Sequence, residues 1–267
     1  MNLKSFLPLS LLLLIFACSS DDSNNNDDTN QDNILIKQIN YSSVEANETY
    51  MQVFEYDGNK LISLVDSSSD MNEEYEATFE YADNKLVQVN YRDDGQLVEY
   101  VTLSYDSEDI LTEFTAFLFD VDGGNVATKY IVTLNDNNSN ISLELFRGDF
   151  SSQTENVGTT NYTIMDGNII EISNSNNSDT VNFQYDSKNS VYKNIFSIDF
   201  IALVMNESEN GFEIYGSGNN ITQITDDQGD FMDIETIEYS YNTNDYPNAA
   251  MYYYDGELDS NIEFIYE

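Results

Sequence analysis

The chain has 267 residues, carries 49 acidic against 9 basic side chains for a formal net charge of −40, and contains neither histidine nor tryptophan. That charge disfavours nucleic acid and anionic membrane surfaces, because a polyanion would be repelled rather than gain from counterion release. Without histidine, Ser-His-Asp and Cys-His catalysis and His-liganded zinc are excluded in their usual forms, and a single cysteine allows no internal disulfide.

At the N-terminus, Lys4 precedes an almost unbroken apolar run from Phe6 to Phe16. The run suits a signal-peptide core and is too short for a helix that needs about 20 apolar residues to cross a bilayer. It ends in Leu14-Ile15-Phe16-Ala17-Cys18, which resembles the bacterial lipobox, with Phe16 bulkier than is usual there. The resemblance implies cleavage after residue 17 and lipidation of Cys18, so that the chain is held to the membrane by acyl chains rather than spanning it.

Residues 18–33 follow as an acidic, Asn-rich tether with nothing apolar to offset its ordering entropy. Its opening, Ser19-Ser20-Asp21-Asp22, resembles the acidic export tag of Bacteroidota lipoproteins, which implies the outer face of the outer membrane.

From residue 34 onward strand signals dominate. Thr49–Tyr56 leads through Asp57-Gly58-Asn59-Lys60 to Leu61–Val65, and Tyr75–Tyr81 leads through Ala82-Asp83-Asn84-Lys85 to Leu86–Tyr91. Glu99–Tyr105 then leads through Asp106–Asp109 to Ile110–Phe114. Tyrosines 56, 81 and 105 end these strands, so one hairpin recurs about every 25 residues. Weaker copies lie at Tyr130–Leu134 with Ile141–Leu145 and at Tyr162–Met165 with Ile169–Ile172. Apolar and polar residues alternate within the strands, which buries one face and wets the other. The expected class is all-β: an antiparallel meander of repeated hairpins over residues 34–267, forming a curved sheet or open barrel.

One segment breaks the alternation. Asn194–Met205 is apolar over most of its circumference and reads as a short helix near 195–205, capped by Asn194 or Ser197 and tucked against the concave face. An extended buried strand is the alternative.

Tyr-Asp/Asn followed by a short aliphatic strand resembles the YD-type repeat of Rhs-like surface proteins. The order of Tyr185–Asn194, the apolar segment, Asn219–Thr225 and Tyr239–Pro247 resembles a family of Bacteroidota lipoproteins with a β-rich domain of unknown function. The likeness is best over residues 185–267, and it implies fold and address but no activity.

Candidate sites are few. Asp120, Asp122 and Asn125 surround a glycine turn and admit calcium, although Gly124 and Ile131 stand where an EF-hand needs ligands; a plain hairpin turn is the simpler reading. Calcium apart, no cofactor is expected. Tyr252, Tyr253 and Tyr254 must show at least one ring on each face of a strand, so one of them contacts a ligand or packs under a loop. The repeat tyrosines read as core and cross-strand pairs. With no catalytic constellation, the expectation is a non-enzymatic, lipid-anchored outer-membrane protein, exposed at the surface, whose domain binds an extracellular glycan or protein. The alternatives are a carboxylate-dependent glycoside hydrolase and a periplasm-facing lipoprotein that assists envelope assembly.

Overall fold

The computed structural model describes residues 34–44, 48–68, 74–121, 123–135, 139–176, 179–212, 214, 216–227 and 232–267. The signal segment, Cys18 and the tether lie outside the described residues.

Sixteen antiparallel strands form one closed barrel in chain order. They begin with β1 (Ile36–Ser43), β2 (Thr49–Asp57), β3 (Lys60–Ser68), β4 (Glu74–Ala82), β5 (Lys85–Asp93), β6 (Gln96–Tyr105), β7 (Leu111–Val121) and β8 (Gly124–Leu134). After β9 (Asn140–Asp149), β10 (Ser152–Met165), β11 (Asn168–Asn174) and β12 (Thr180–Tyr185), the chain forms its helix α1 (Ile198–Glu207). It then completes the wall with β13 (Ile221–Asp227), β14 (Met232–Tyr241), β15 (Pro247–Tyr254) and β16 (Glu257–Tyr266). Closure comes from β1 pairing with β16, from Ile36 opposite Tyr266 to Ser43 opposite Ser260. The meander expected from the sequence is thus present, and it is a closed barrel rather than an open sheet. A closed wall leaves no unpaired edge to template association.

Tight turns set the register. Asp83 and Asn84 both have positive φ, 49° and 62°, as a two-residue hairpin loop requires to match strand twist. Asp94-Gly95, Asp166-Gly167 and Asp255-Gly256 repeat the same solution with glycine in the second place.

The alternating pattern sorts side chains between two faces. Inward positions hold Phe54, Leu64, Ala77, Phe79, Val89, Tyr91, Val101, Phe114 and Leu143, all buried in one continuous core. Outward positions hold Glu55, Glu76, Glu80, Glu113, Glu144, Glu171, Glu238 and Glu263, which are directly opposite other outward residues such as Ser63, Gln88 and Asn40. A lipid-facing barrel needs the reverse, an outward apolar band about 25 Å tall around a polar interior. Here the apolar core is the enclosed face, and the outward face carries these acids among exposed apolar residues such as Met51, Ile234 and Met251.

The repeat tyrosines share one role. Tyr56, Tyr81, Tyr105, Tyr185 and Tyr266 each donate a hydroxyl hydrogen bond to a carbonyl of the preceding strand, at Ile36, Leu61, Leu86, Ile169 and Pro247 respectively, over 2.6–3.0 Å. Each ends an even-numbered strand, so all five ring one end of the barrel. That proximal end also holds the start of β1 and the end of β16.

The described residues of the long connection from β12 to β13, 186–212, 214 and 216–220, turn inward at this end and plug the lumen. Five consecutive helix residues, Ile201 to Met205, are buried. A helix on a sheet surface buries one stripe, whereas burial on every side means that it is encircled. The helix expected at 195–205 is therefore present and starts at Ile198. Ser197 occupies the N-cap without a side-chain bond. Asn194, the other expected cap, donates instead to the Ile34 carbonyl and the Tyr246 hydroxyl, both at 2.9 Å.

Candidate functional site: the lumen and its plug

The plug leans on one half of the wall. Tyr192 packs against Phe54, Phe196 against Tyr81 and Phe200 against Tyr105, with ring centroids 6.2–6.3 Å apart. Proximal turns hold it from outside: the Phe196 amide donates to the Asn59 carbonyl, Ser217 Oγ to Gly167 and Lys188 Nζ to Asp245.

Deeper in the barrel the contacts are acidic. Tyr130 donates to the Glu207 carbonyl at 2.8 Å, and Tyr162 donates to the Glu207 carboxylate. Glu99 of β6 is wholly buried, and its Oε2 accepts both the amide N–H and the side-chain Nδ2 of Asn210 at 2.9 Å. Its Oε1 and the Tyr91 hydroxyl have no partner at hydrogen-bond geometry among the described residues, and Ser208 is the polar group beside both. Burial pushes the Glu99 carboxyl above its ordinary value, although the Asn210 bonds pull it down; burial likewise raises Glu207 against the pull of Tyr162. These two acids are structural clamps on the helix end. Among 49 acidic residues nothing in the sequence marked them.

The other half of the lumen is not filled. Between the plug and the inner faces of β13–β16 and β1 lies a cavity of about 360 Å³. Ile39, Ile224, Ile237, Ile262 and Phe264 give it apolar walls, and Tyr41, Tyr192, Tyr239, Tyr252, Glu235 and Ser260 supply polar groups. The hydroxyls of Tyr192 and Tyr239 have no hydrogen-bond partner among the described residues. Burial raises both phenols, Tyr192 to about 12, and Tyr192 in turn raises Tyr41 and Tyr239. A larger void of about 670 Å³ lies at the proximal rim between α1 and β8–β11, lined by Leu134, Ile141, Ile164, Ile169, Phe200 and Leu203. Size favours the rim void, but the smaller cavity is where aromatic, hydroxyl and carboxylate groups meet on one space, as ligand sites require. We therefore take the lumenal cavity as the site.

The sequence-derived candidates divide. Tyr252 faces inward, opposite Ile237 and Ser260, and lines the cavity. Tyr253 faces outward, its hydroxyl 3.6 Å from Met251 Sδ. Tyr254 faces inward opposite Glu235 at the distal mouth, where Asp233 above all, then burial and the neighbouring acids, raises its phenol. The required split of three consecutive rings between two faces is what the strand register delivers. Asp120 and Asn125 lie at a distal turn, where Asn125 Oδ1 accepts the Asp120 amide at 3.3 Å; Asp122 lies outside the described residues. Cavity residues Tyr41, Tyr192, Tyr239 and Glu235 were missed, because the closure that unites them links strands at opposite ends of the chain.

Fold and site together define a plugged β-barrel with an acid-bearing outer wall and an apolar lumen that keeps a cavity beside the plug. The chain is similar in fold to a porin-like protein from Bacteroides vulgatus ATCC 8482, with 13% identity, 88% of this chain and 99% of that chain covered, and a TM-score of 0.55. It is also similar to a porin-like protein from Bacteroides uniformis ATCC 8492, with 13% identity, 87% and 96% covered, and a TM-score of 0.50. At this identity the likeness concerns the fold. No family model matches the chain, and no curated protein matches it.

Proposed function

We propose that the protein is a non-catalytic, lipid-anchored outer-membrane lipoprotein whose barrel stands in water and binds a small molecule in its lumen. The observation that carries this reading is the inverted wall: acids outside, apolar and tyrosine side chains inside, and a cavity left beside a fixed plug. Barrel-like likeness to the Bacteroides porin-like proteins supports an outer-membrane setting. The acyl chains at Cys18, rather than the wall, would hold it there, and the Ser19-Ser20-Asp21-Asp22 tag supports the cell surface. A glycan or protein partner would then meet the outer wall or the distal turns, separately from the lumen.

Two experiments test it. Radiolabelled palmitate should enter the wild-type protein and not Cys18→Ser; equal labelling would remove the anchor. A small-molecule thermal-shift screen should give hits that disappear in Ser260→Phe, which fills the cavity. Hits that persist in the filled variant would place binding elsewhere.

A further inference from the structure

The rim void is a second space with a chemistry of its own, and among the described residues none lines both it and the lumenal cavity. Close-packed interiors keep few voids larger than a water molecule, so about 670 Å³ between helix and wall is more than loose packing. Its sides are apolar: Leu134, Ile141, Ile164 and Ile169 from the wall, with Ala202 and Leu203 from α1. Water held against such walls lacks the polar partners it needs, whereas a hydrocarbon chain makes contact on every side.

Polar lining residues gather toward the proximal turns. Ser139 follows the β8–β9 turn, Asp166 and Gly167 form the β10–β11 turn, and Ser197 caps α1 without a side-chain bond to it. Met165, beside them at the end of β10, is 57% exposed. The void therefore opens at the rim, with an apolar bore and a polar mouth.

The charges at that mouth select the headgroup. Asp166 and Asp199 both line the void and are both exposed, and no lysine or arginine lines it. A carboxylate or phosphate head would meet two like charges and no counter-charge. An uncharged head meets the hydroxyls of Ser139, Ser197 and Ser217 instead.

The geometry points to a lipid site at the proximal rim. The void takes the acyl chain of a single-chain lipid whose head carries no negative charge, a monoacylglycerol being the simplest. The chain lies against Ile164, Ile169 and Leu203, and the head sits at Ser197. A volume of about 670 Å³ falls within the usual range of ligand pockets. This site goes beyond the lumenal reading and stands or falls apart from it.

The test uses the full-length protein in a bile-salt detergent, whose rigid body does not mimic a linear chain. Two photoprobes share a decanoyl chain bearing a diazirine and differ in the head: a monoacylglycerol and the free fatty acid. After irradiation, mass spectrometry should find monoacylglycerol adducts at Leu134, Ile141, Ile164, Ile169 or Leu203, and unlabelled monodecanoylglycerol should displace them. The fatty acid should label these residues roughly fivefold less, and Asp166→Asn combined with Asp199→Asn should close most of that gap. Ala202→Phe and Ile141→Trp each fill the void and should remove the adducts, whereas Ser260→Phe, in the lumenal cavity, should leave them unchanged. A cooperative melt shows which filling variant folds, and that variant decides. Adducts scattered over the outward wall, adducts that persist in the filled variant, or no labelling at all would overturn the site. Equal labelling by the fatty acid would overturn the headgroup assignment.

Discussion

Tyr81 shows what a single side chain contributes to this wall. Its ring packs on Phe196 of the plug, and its hydroxyl donates at 3.0 Å to the Leu61 carbonyl. Tyr81→Phe should destabilise the protein by about 1 kcal/mol in denaturant unfolding, since one partly buried hydrogen bond is lost. Tyr253→Phe, on the outward face, should change little. The tyrosine repeat was legible in the sequence because the same residue recurs at each strand end. Its purpose was not, because the accepting carbonyls lie 16–20 residues upstream on the paired strand.

Glu99 gives a second test at this scale. Burial holds its carboxyl above the ordinary value of 4.5, as it does for Glu207. The folded state therefore binds more protons than the unfolded one just above that value. The contribution is fully present below the ordinary carboxylate range and is lost as pH rises through the raised values. Melting temperature should accordingly be higher near about pH 5 than near about pH 7.5. Glu99→Gln, which keeps an acceptor for Asn210, should flatten that slope. A variant with the wild-type pH profile would show that Glu99 does not carry it.

At the level of elements, the plug is what distinguishes this barrel from an empty cylinder. Its apolar segment was visible as the one stretch without alternation, and ten helical residues match it closely. Its position inside the lumen was not visible, because encirclement depends on a closure made between residues 36–43 and 260–266. Ile201 is wholly buried at the middle of α1. Ile201→Ala should cost about 2–5 kcal/mol, the range for removing a large aliphatic side chain from a packed site. Met51→Ala, on the outward face of β2, should cost under about 0.5 kcal/mol. Equal effects would mean that the plug is loosely held.

For the whole molecule, composition gave the class and the alternation gave the two faces, but neither assigned which face would become the interior of a closed form. The 16 strands settle it: the mainly apolar face is enclosed and the acid-bearing face points outward. A wall carrying such charge repels itself, so melting temperature should rise with salt and level off once screening reaches the spacing of its charges. A flat profile would mean that the outward acids are already too dispersed to interact.

The most direct measurement is detergent-free solution behaviour of residues 19–267, lacking the lipidated cysteine. A water-facing barrel should purify as a monodisperse species with β-rich circular dichroism and one cooperative melt, and it should leave planar bilayers non-conducting. Aggregation without detergent, recovery of fold only in micelles, and stepwise bilayer conductance would contradict the account and make this wall a lipid-facing one.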